Sequence, residues 1–349
     1  VTDHLKPPDS RARAAATTRL DELTKPKGSL GRLEEVAIWA AGVQGACPPQ
    51  PFRKPSLVIF VGDHGVARTI GTSAYPPEVT AQMVRSFVAG TAAVNAIAGV
   101  ANVDVRVVDV SVDADPDYLA DVAPQVAAHR IRRGTGSIHA EDAMSSAEAQ
   151  AAFDLGARIA DEHIDAGADL LIAGDMGIGN TTPAAALVGV ITKHNAAAVT
   201  GLGTGIDDAT WMRKAGAIRD AMRRGREVRD DPMALLATVS GPDFAAIAGF
   251  LHRSALRRTP VILDGTISTA AALVVDRIEP KARLWWLAGH RSAEPAHGLA
   301  LERLGLEPLL DMEMRLGEGT GAVLALPIVQ AAITCIAQMN TFDEAGVSK

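Results

Sequence analysis

Two short stretches carry residues whose type and spacing could do chemistry. The first, Gly174–Thr182, reads Gly-Asp-Met-Gly-Ile-Gly-Asn-Thr-Thr between the apolar runs Asp169–Ala173 and Pro183–Val190. A buried strand, a glycine turn and a helix start present backbone N–H groups and the positive helix end to a phosphate. The spacing Gly174-x4-Gly179 is that of a nucleotide-phosphate loop, but Asn180 stands where such a loop needs lysine, which argues against an ATPase. Gly177, Gly179, Asn180 and Thr181 are the anion-binding candidates; a turn that uses glycine only for sharpness is the competing reading. The second stretch, Asp311–Gly321, sets Glu318 between Gly317 and Gly319, directly before a long apolar run. A glutamate without bulky neighbours admits a ligand closely, and in an apolar pocket its pKa rises, which suits a general base. A first-turn glutamate that only complements the helix dipole is the alternative. Lys214, one turn into a helix after a second glycine turn at Thr200–Gly205, could supply the cation that Asn180 does not; a solvated helix lysine is its plainer reading.

Something must bring these stretches to one side of the molecule. Ser56–Val61, Val103–Val110, Leu170–Ala173, Pro260–Leu263, Arg283–Leu287 and Pro308–Leu310 read as strands. Runs that are apolar on both faces mark central parallel strands. Helices are expected at Val79–Ala98, Ala147–Ala166, 207–224, 232–239 and 242–252, and from Thr266 to Val275. The alternation predicts an α/β fold: a doubly wound, mainly parallel sheet of about six strands with helices on both faces. A polar or glycine-rich cluster follows each strand, including Gly62-Asp63-His64-Gly65, Asp264-Gly265-Thr266 and Ala288–Glu294. Loops at the carboxyl ends of parallel strands form the ligand crevice of such folds. Outside the alternation, Ser10 reads as the N-cap of a helix over Ala14–Leu23, a second helix ends near Gly45, and Gly319–Met339 reads as a buried helix. Residues 1–50 and 319–349 are expected to pack together as a small helical domain beside an α/β domain over 51–318, with the proline-rich Cys47–Pro51 at the first boundary.

Composition excludes several classes. The chain has 349 residues, 48% hydrophobic and 21% charged, the balance of a globular protein with a full core. Net charge is −7, and the pairs Arg132-Arg133 and Arg223-Arg224 are short, so nucleic acid is not an expected partner. Cys47 and Cys335 lie far apart in no metal or redox pattern, which suits a reducing compartment. Asp63-His64 and His290 lack metal-ligand spacing, and no metal is expected. No Gly-x-Ser-x-Gly elbow occurs. The first twenty residues have no apolar signal-peptide core. The stretch Gly319–Met339 contains Pro327 and two glutamines and is short for a bilayer, so no membrane span is expected.

The ordered set TKPKGSLGRLE (24–34), VGDHGV (61–66), SAYPPEVTAQMV (73–84), GDMGIGNTTPAAAL (174–187), TGLGTGID (200–207), LDGTISTAAAL (263–273), GHRSAEPAH (289–297) and RLGEGTGA (315–322) resembles the nicotinate-nucleotide–dimethylbenzimidazole phosphoribosyltransferases, from about residue 20 to residue 340. The resemblance implies transfer of the phosphoribosyl group of nicotinate mononucleotide to 5,6-dimethylbenzimidazole. The products would be α-ribazole 5′-phosphate and nicotinate, for the lower nucleotide loop of cobalamin. It also implies a cytosolic homodimer with no cofactor and no metal. Carried over by residue, Glu318 matches the family's base. Asp175, Gly177, Gly179, Asn180, Thr181, Gly203 and Lys214 match its phosphoribosyl region, and Gln82, Ser73, Tyr75 and Leu316 its base pocket. The family motif often has Glu where this chain has Asp175, one methylene shorter.

That chemistry agrees with a single carboxylate. Nicotinate leaves from a cationic pyridinium nitrogen and needs no acid, whereas the incoming benzimidazole must shed its N–H proton. A dinucleotide oxidoreductase would need Gly-x-Gly-x-x-Gly after the first strand, and Gly62-Asp63-His64-Gly65 does not supply it. A non-catalytic nucleotide-binding module stays open from the residues alone; nicotinate release that depends on the base discriminates it.

Overall fold

The apolar runs assemble into one sheet in the computed structural model, which describes residues 5–121 and 123–348. Its strands are β1 (Pro55–Gly62), β2 (Asp104–Ser111), β3 (Leu170–Met176), β4 (Val261–Leu263), β5 (Trp286–Arg291) and β6 (Pro308–Asp311). They lie in the order β2-β1-β3-β4-β5-β6, and every pairing is parallel. All eight residues of β1 are buried, so helices cover both of its faces, as the continuous apolar run requires. The chain reverses its direction of travel across the sheet between β1 and β3. Loops diverge at such a switch point, and a crevice opens outside the strand ends.

Several elements depart from the expected bounds. Strand β3 runs on through Gly174, Asp175 and Met176, because these residues pair in register with Ile59, Phe60 and Val61 of β1. The first three of the nine residues Gly174–Thr182 are therefore strand. Strand β5 begins only at Trp286, since Pro280–Trp285 forms a 3₁₀ turn, and it takes in Gly289-His290-Arg291. The helix expected over Val79–Ala98 is two, Val79–Val88 and Ala93–Ala101, separated at Gly90, whose φ of +73° no helix tolerates. The first helix, Ser10–Glu22, is capped by Asp9, whose carboxylate accepts from Arg11 N at 2.7 Å and Ala12 N at 2.8 Å. Ser10 is inside that helix.

The terminal segments meet. The helices Ser10–Glu22 and Arg32–Gln44 pack against Thr320–Gln338, and Arg19 donates to the carbonyls of Ile336 at 2.8 Å and Met339 at 3.2 Å. Leu20, Val36 and Ile333 belong to the same continuous core as the strands. Among the described residues, two helical stretches are long and apolar enough by composition to cross a membrane, Val79–Ala101 and Thr320–Gln338. Thr320–Gln338 is a core helix, with Val323, Leu326, Val329 and Ile336 buried.

Candidate active site

The glycine turn after β3 and the turn carrying Glu318 touch. At the carboxyl end of β3, the backbone of Gly174 lies so close to the Glu318 turn that a Cβ added there would strike the Glu318 carbonyl, with Gly319 N at 3.0 Å. Glu318 N donates to the Asp175 carbonyl at 3.0 Å. The turn is pinned from the other side by Asp264 at the end of β4, which accepts from Gly319 N at 3.1 Å and Ala322 N at 3.0 Å. Glu318 itself sits at φ +64°, a region that non-glycine residues enter only when their surroundings hold them there.

Beside this junction is a cleft of ≈ 680 Å³. Its walls come from four places: Thr72, Ser73, Tyr75, Val79 and Met83; the stretch 175–181; Gly203 and Thr204; and Arg315, Leu316 and Glu318. Glu318 is buried, and its Oε2 has no hydrogen-bond partner. Burial pushes its carboxyl up to about 7; the Val94 N–H pulls against this and Asp264 adds to it. Such a group is a carboxylate for part of the time at neutral pH and binds a proton well when one is offered.

Asp175 is also buried, and its pKa is raised well above the ordinary carboxylate range. Desolvation is the main cause, and Asp264, Asp243 and Glu318 all push the same way. Asn180 Nδ2 donates to Asp175 Oδ2 at 2.9 Å. The Asn180 side chain thus holds Asp175 and does not cap the helix Thr181–Thr192. Gly179, at φ +91°, makes the last bend before that helix, whose start opens on the cleft through Thr181.

Lys214, expected to supply a cation to the phosphate region, reaches that region from the core. It is fully buried, and its Nζ donates to Thr181 Oγ1 at 2.9 Å and the Gly201 carbonyl at 3.1 Å. Burial lowers its pKa, with Glu294 opposing. Lys214 is not part of the cleft wall, but its Nζ is bonded to Thr181, which is, and lies 3.1 Å from where a Cβ on Gly203 would stand. Gly203 lines the cleft, but its N–H points to Glu294 Oε1 at 2.7 Å. Gln82 is exposed, and the wall on its helix is formed by Val79 and Met83. Ser73 lines the cleft and bonds to Thr204 Oγ1 at 3.1 Å. Tyr75 and Leu316 stand at the mouth, 56% and 54% exposed. The fold therefore gathers Glu318, Asp175, Gly177, Gly179, Asn180, Thr181, Gly203, Ser73, Tyr75 and Leu316 into one cleft.

Residue-by-residue reading missed Asp264, Glu294 and Arg315. Each lies inside a motif already singled out, so the motif was visible and the role was not. One signal was available for Arg315: it is the only basic residue between Leu304 and Ser348. Among the described residues, no group of three or more His, Cys, Asp or Glu side chains is arranged to hold a metal ion.

A parallel α/β sheet with a glycine turn, a helix start and a buried carboxyl at its switch point suits transfer of a phosphorylated sugar. The family model described as DBI_PRT, phosphoribosyltransferase, matches residues 5–347, and the chain belongs to that family. The chain is 58% identical over 344 residues to the nicotinate-nucleotide–dimethylbenzimidazole phosphoribosyltransferase of Mycolicibacterium paratuberculosis, covering 99% of this chain and 97% of that protein. It is 57% identical over 341 residues to the protein of the same name from Mycobacterium tuberculosis, covering 98% and 93%. Among solved structures, CobT from Thermus thermophilus superposes with a TM-score of 0.91 at 42% identity, covering 97% of this chain and 99% of that one.

Proposed function

We infer that this chain transfers the 5-phosphoribosyl group of nicotinate mononucleotide to 5,6-dimethylbenzimidazole, giving α-ribazole 5′-phosphate and nicotinate for cobalamin synthesis. One observation carries the mechanism: Glu318 is a buried carboxyl with an unpartnered oxygen, poised near neutrality, in the same cleft as the glycine turn and the start of the helix Thr181–Thr192. One benzimidazole nitrogen attacks the anomeric carbon as the bond to the pyridinium nitrogen breaks. That bonding pair neutralises the pyridinium, so nicotinate leaves without an acid. The proton on the second benzimidazole nitrogen passes to Glu318. Attack from the face opposite the leaving group turns the β linkage into α. Positioning supplies much of the acceleration, up to about 7–11 kcal/mol for well-oriented partners. Asp175 lies in the same cleft, and its burial together with Asp264, Asp243 and Glu318 raises its pKa well above the ordinary carboxylate range, which favours the neutral acid, a potential hydrogen-bond donor, over a second charge.

The test is direct. Incubation with nicotinate mononucleotide should release nicotinate only when dimethylbenzimidazole is present. Tight nucleotide binding without base-dependent release would make the chain a binding module.

The same reading carries a homodimer in the cytosol, with the terminal helices as a small domain beside the sheet. The stretch Val79–Ala101 supports the dimer: it is apolar, yet most of it is not buried within the single chain, and Val100 is 86% exposed. A sedimentation mass of one chain at micromolar concentration would count against it. The free Cys47 and Cys335 accord with a reducing compartment.

A further inference from the structure

Asp63 is buried directly after β1 and does not line the cleft. Burial pushes its pKa up to about 6, with the Thr80 hydroxyl and the Asp113 N–H pulling the other way. A buried carboxyl is costly unless its oxygens are hydrogen-bonded, and both oxygens of Asp63 are. Oδ2 accepts from Asp113 N at 2.9 Å, and Asp63 N donates to the Ser111 carbonyl at 3.0 Å, so the residue is fastened to the end of β2. Oδ1 accepts from Thr80 Oγ1 at 2.5 Å, and the same Thr80 oxygen accepts from Ile178 N at 3.0 Å. One buried hydroxyl thus joins three places: the loop after β1, the helix Val79–Val88 and the glycine turn after β3. The turn also rests on the end of β1, since a Cβ on Gly177 would strike the Gly62 carbonyl. Thr80 does not line the cleft either, but its neighbours do. Val79 and Met83, four residues apart on one face of the helix, form part of its wall, and Gly177, Ile178 and Gly179 form another part.

We propose that Thr80 and Asp63 are positioning residues for the transfer: Thr80 latches the wall formed by Val79 and Met83 to the glycine turn, and Asp63 fixes the direction of its hydroxyl. A hydroxyl has one proton to give and lone pairs to accept with. With the Thr80 proton committed to Asp63, a lone pair is held toward Ile178 N. With the base against Val79 and Met83 and the nucleotide over the turn, the latch sets how far the attacking nitrogen stands from the anomeric carbon. Misplacement of reacting groups by about 1 Å costs on the order of 10²-fold in rate. The latch acts on that distance and not on the grip on either substrate, because neither residue forms the cleft wall. The proposal rests on the transfer inferred above. Wild-type nicotinate release tests that transfer by itself, and in an active enzyme the variants test the latch alone.

The experiment measures kcat under saturating substrates for wild type, Thr80→Val, Thr80→Ser, Asp63→Ala and the double variant Thr80→Val with Asp63→Ala. Dissociation constants for nicotinate mononucleotide and for dimethylbenzimidazole are taken singly, all well below each melting temperature. Thr80→Val keeps the shape and removes the hydroxyl. It should lower kcat about 10- to 100-fold, the scale of a small misplacement, and leave both dissociation constants within about threefold. Thr80→Ser retains the hydroxyl and should recover most of that loss. Asp63→Ala acts through the same bond, so the double variant should fall no further than the worse single one, within about threefold; losses that multiply would overturn the proposal. So would a Thr80→Val kcat within about threefold of wild type, or a Thr80→Ser as impaired as Thr80→Val. Equal losses in kcat and in both affinities would make the bond a support of the fold and overturn it as well. Should Thr80→Val not fold, Asp63→Asn, which keeps an oxygen for the Thr80 proton, gives the comparison with Asp63→Ala: the Asn variant should be the more active, and equal activity would overturn the latch.

Discussion

Replacing Glu318 with Gln removes one proton-binding site and almost nothing else, since the two side chains have nearly the same shape. The carboxyl is 3% exposed, and its pKa is raised from 4.5 to about 7. At about 1.4 kcal/mol per tenfold change in proton affinity, the folded protein bears a cost of about 3 kcal/mol when this group is ionised. The sign follows from the direction: the native state binds the proton more tightly than the unfolded chain. Stability from this group is therefore full below pH 4.5 and is lost as pH rises through about 7. Glu318→Gln cannot ionise, so its unfolding free energy should exceed that of wild type by up to about 3 kcal/mol at pH 8, with the gap closing toward pH 4.5. Turnover should move the opposite way, falling about 10²–10⁴-fold, the usual scale of general acid–base catalysis. The paired assays are urea unfolding at several pH values and nicotinate release under saturating substrates. In wild type, kcat/KM should rise tenfold per pH unit up to about pH 7, and this limb should vanish in the variant. Turnover within about threefold of wild type, or a surviving limb, would refute the assignment of Glu318 as base.

Three further substitutions probe the supports of that carboxyl. Gly174→Ala places a methyl group against the Glu318 carbonyl; it should cost about 1–3 kcal/mol of stability and at least about tenfold in turnover, read by thermal melting and kcat, and an unchanged melt would show that the approach is loose. Asp175→Asn removes a carboxyl whose pKa is raised well above the ordinary range by burial and by its acidic neighbours; it should keep turnover within about tenfold and raise stability more at pH 8 than at pH 5, whereas a loss beyond about 100-fold would mean that the ionised form is needed. Lys214→Ala deletes two buried hydrogen bonds from a charged group; about 1.5–3 kcal/mol of stability should go, and the apparent KM should rise more for the nucleotide than for the base, with equal rises arguing against a role at the phosphate turn.

The places where sequence and structure part company have a common cause. The strand character of Leu170–Ala173 is written in its own residues, but its continuation to Met176 depends on Ile59, Phe60 and Val61 lying alongside. Gly174 looked like the first residue of a glycine turn, and it is the point in the strand where another backbone comes too near for a side chain. A break at Gly90 was missed because the apolar period runs on across it. Lys214 was read as a cation facing the phosphate from behind a glycine loop. Only the packing of the helix Asp208–Glu227 shows that the side chain is fully buried, with its ammonium bonded to Thr181 and the Gly201 carbonyl. Arg315 was within view in the last motif, but nothing in its neighbours along the chain tells which of two cations reaches the cleft.

Residue types and local order determined the fold class, the chain of strand-end loops and the identity of the one glutamate flanked by glycines. These follow from short-range facts: side-chain size, polarity and period. The tertiary structure decided the rest. It set Glu318 against Gly174 across a long separation in sequence, brought Asp175 and Asp264 near it and buried Oε2 without a hydrogen-bond partner. Proton affinity depends on what surrounds a carboxyl in space, and desolvation has no signature along the chain. The sequence could name the base, but only the packing could tune it.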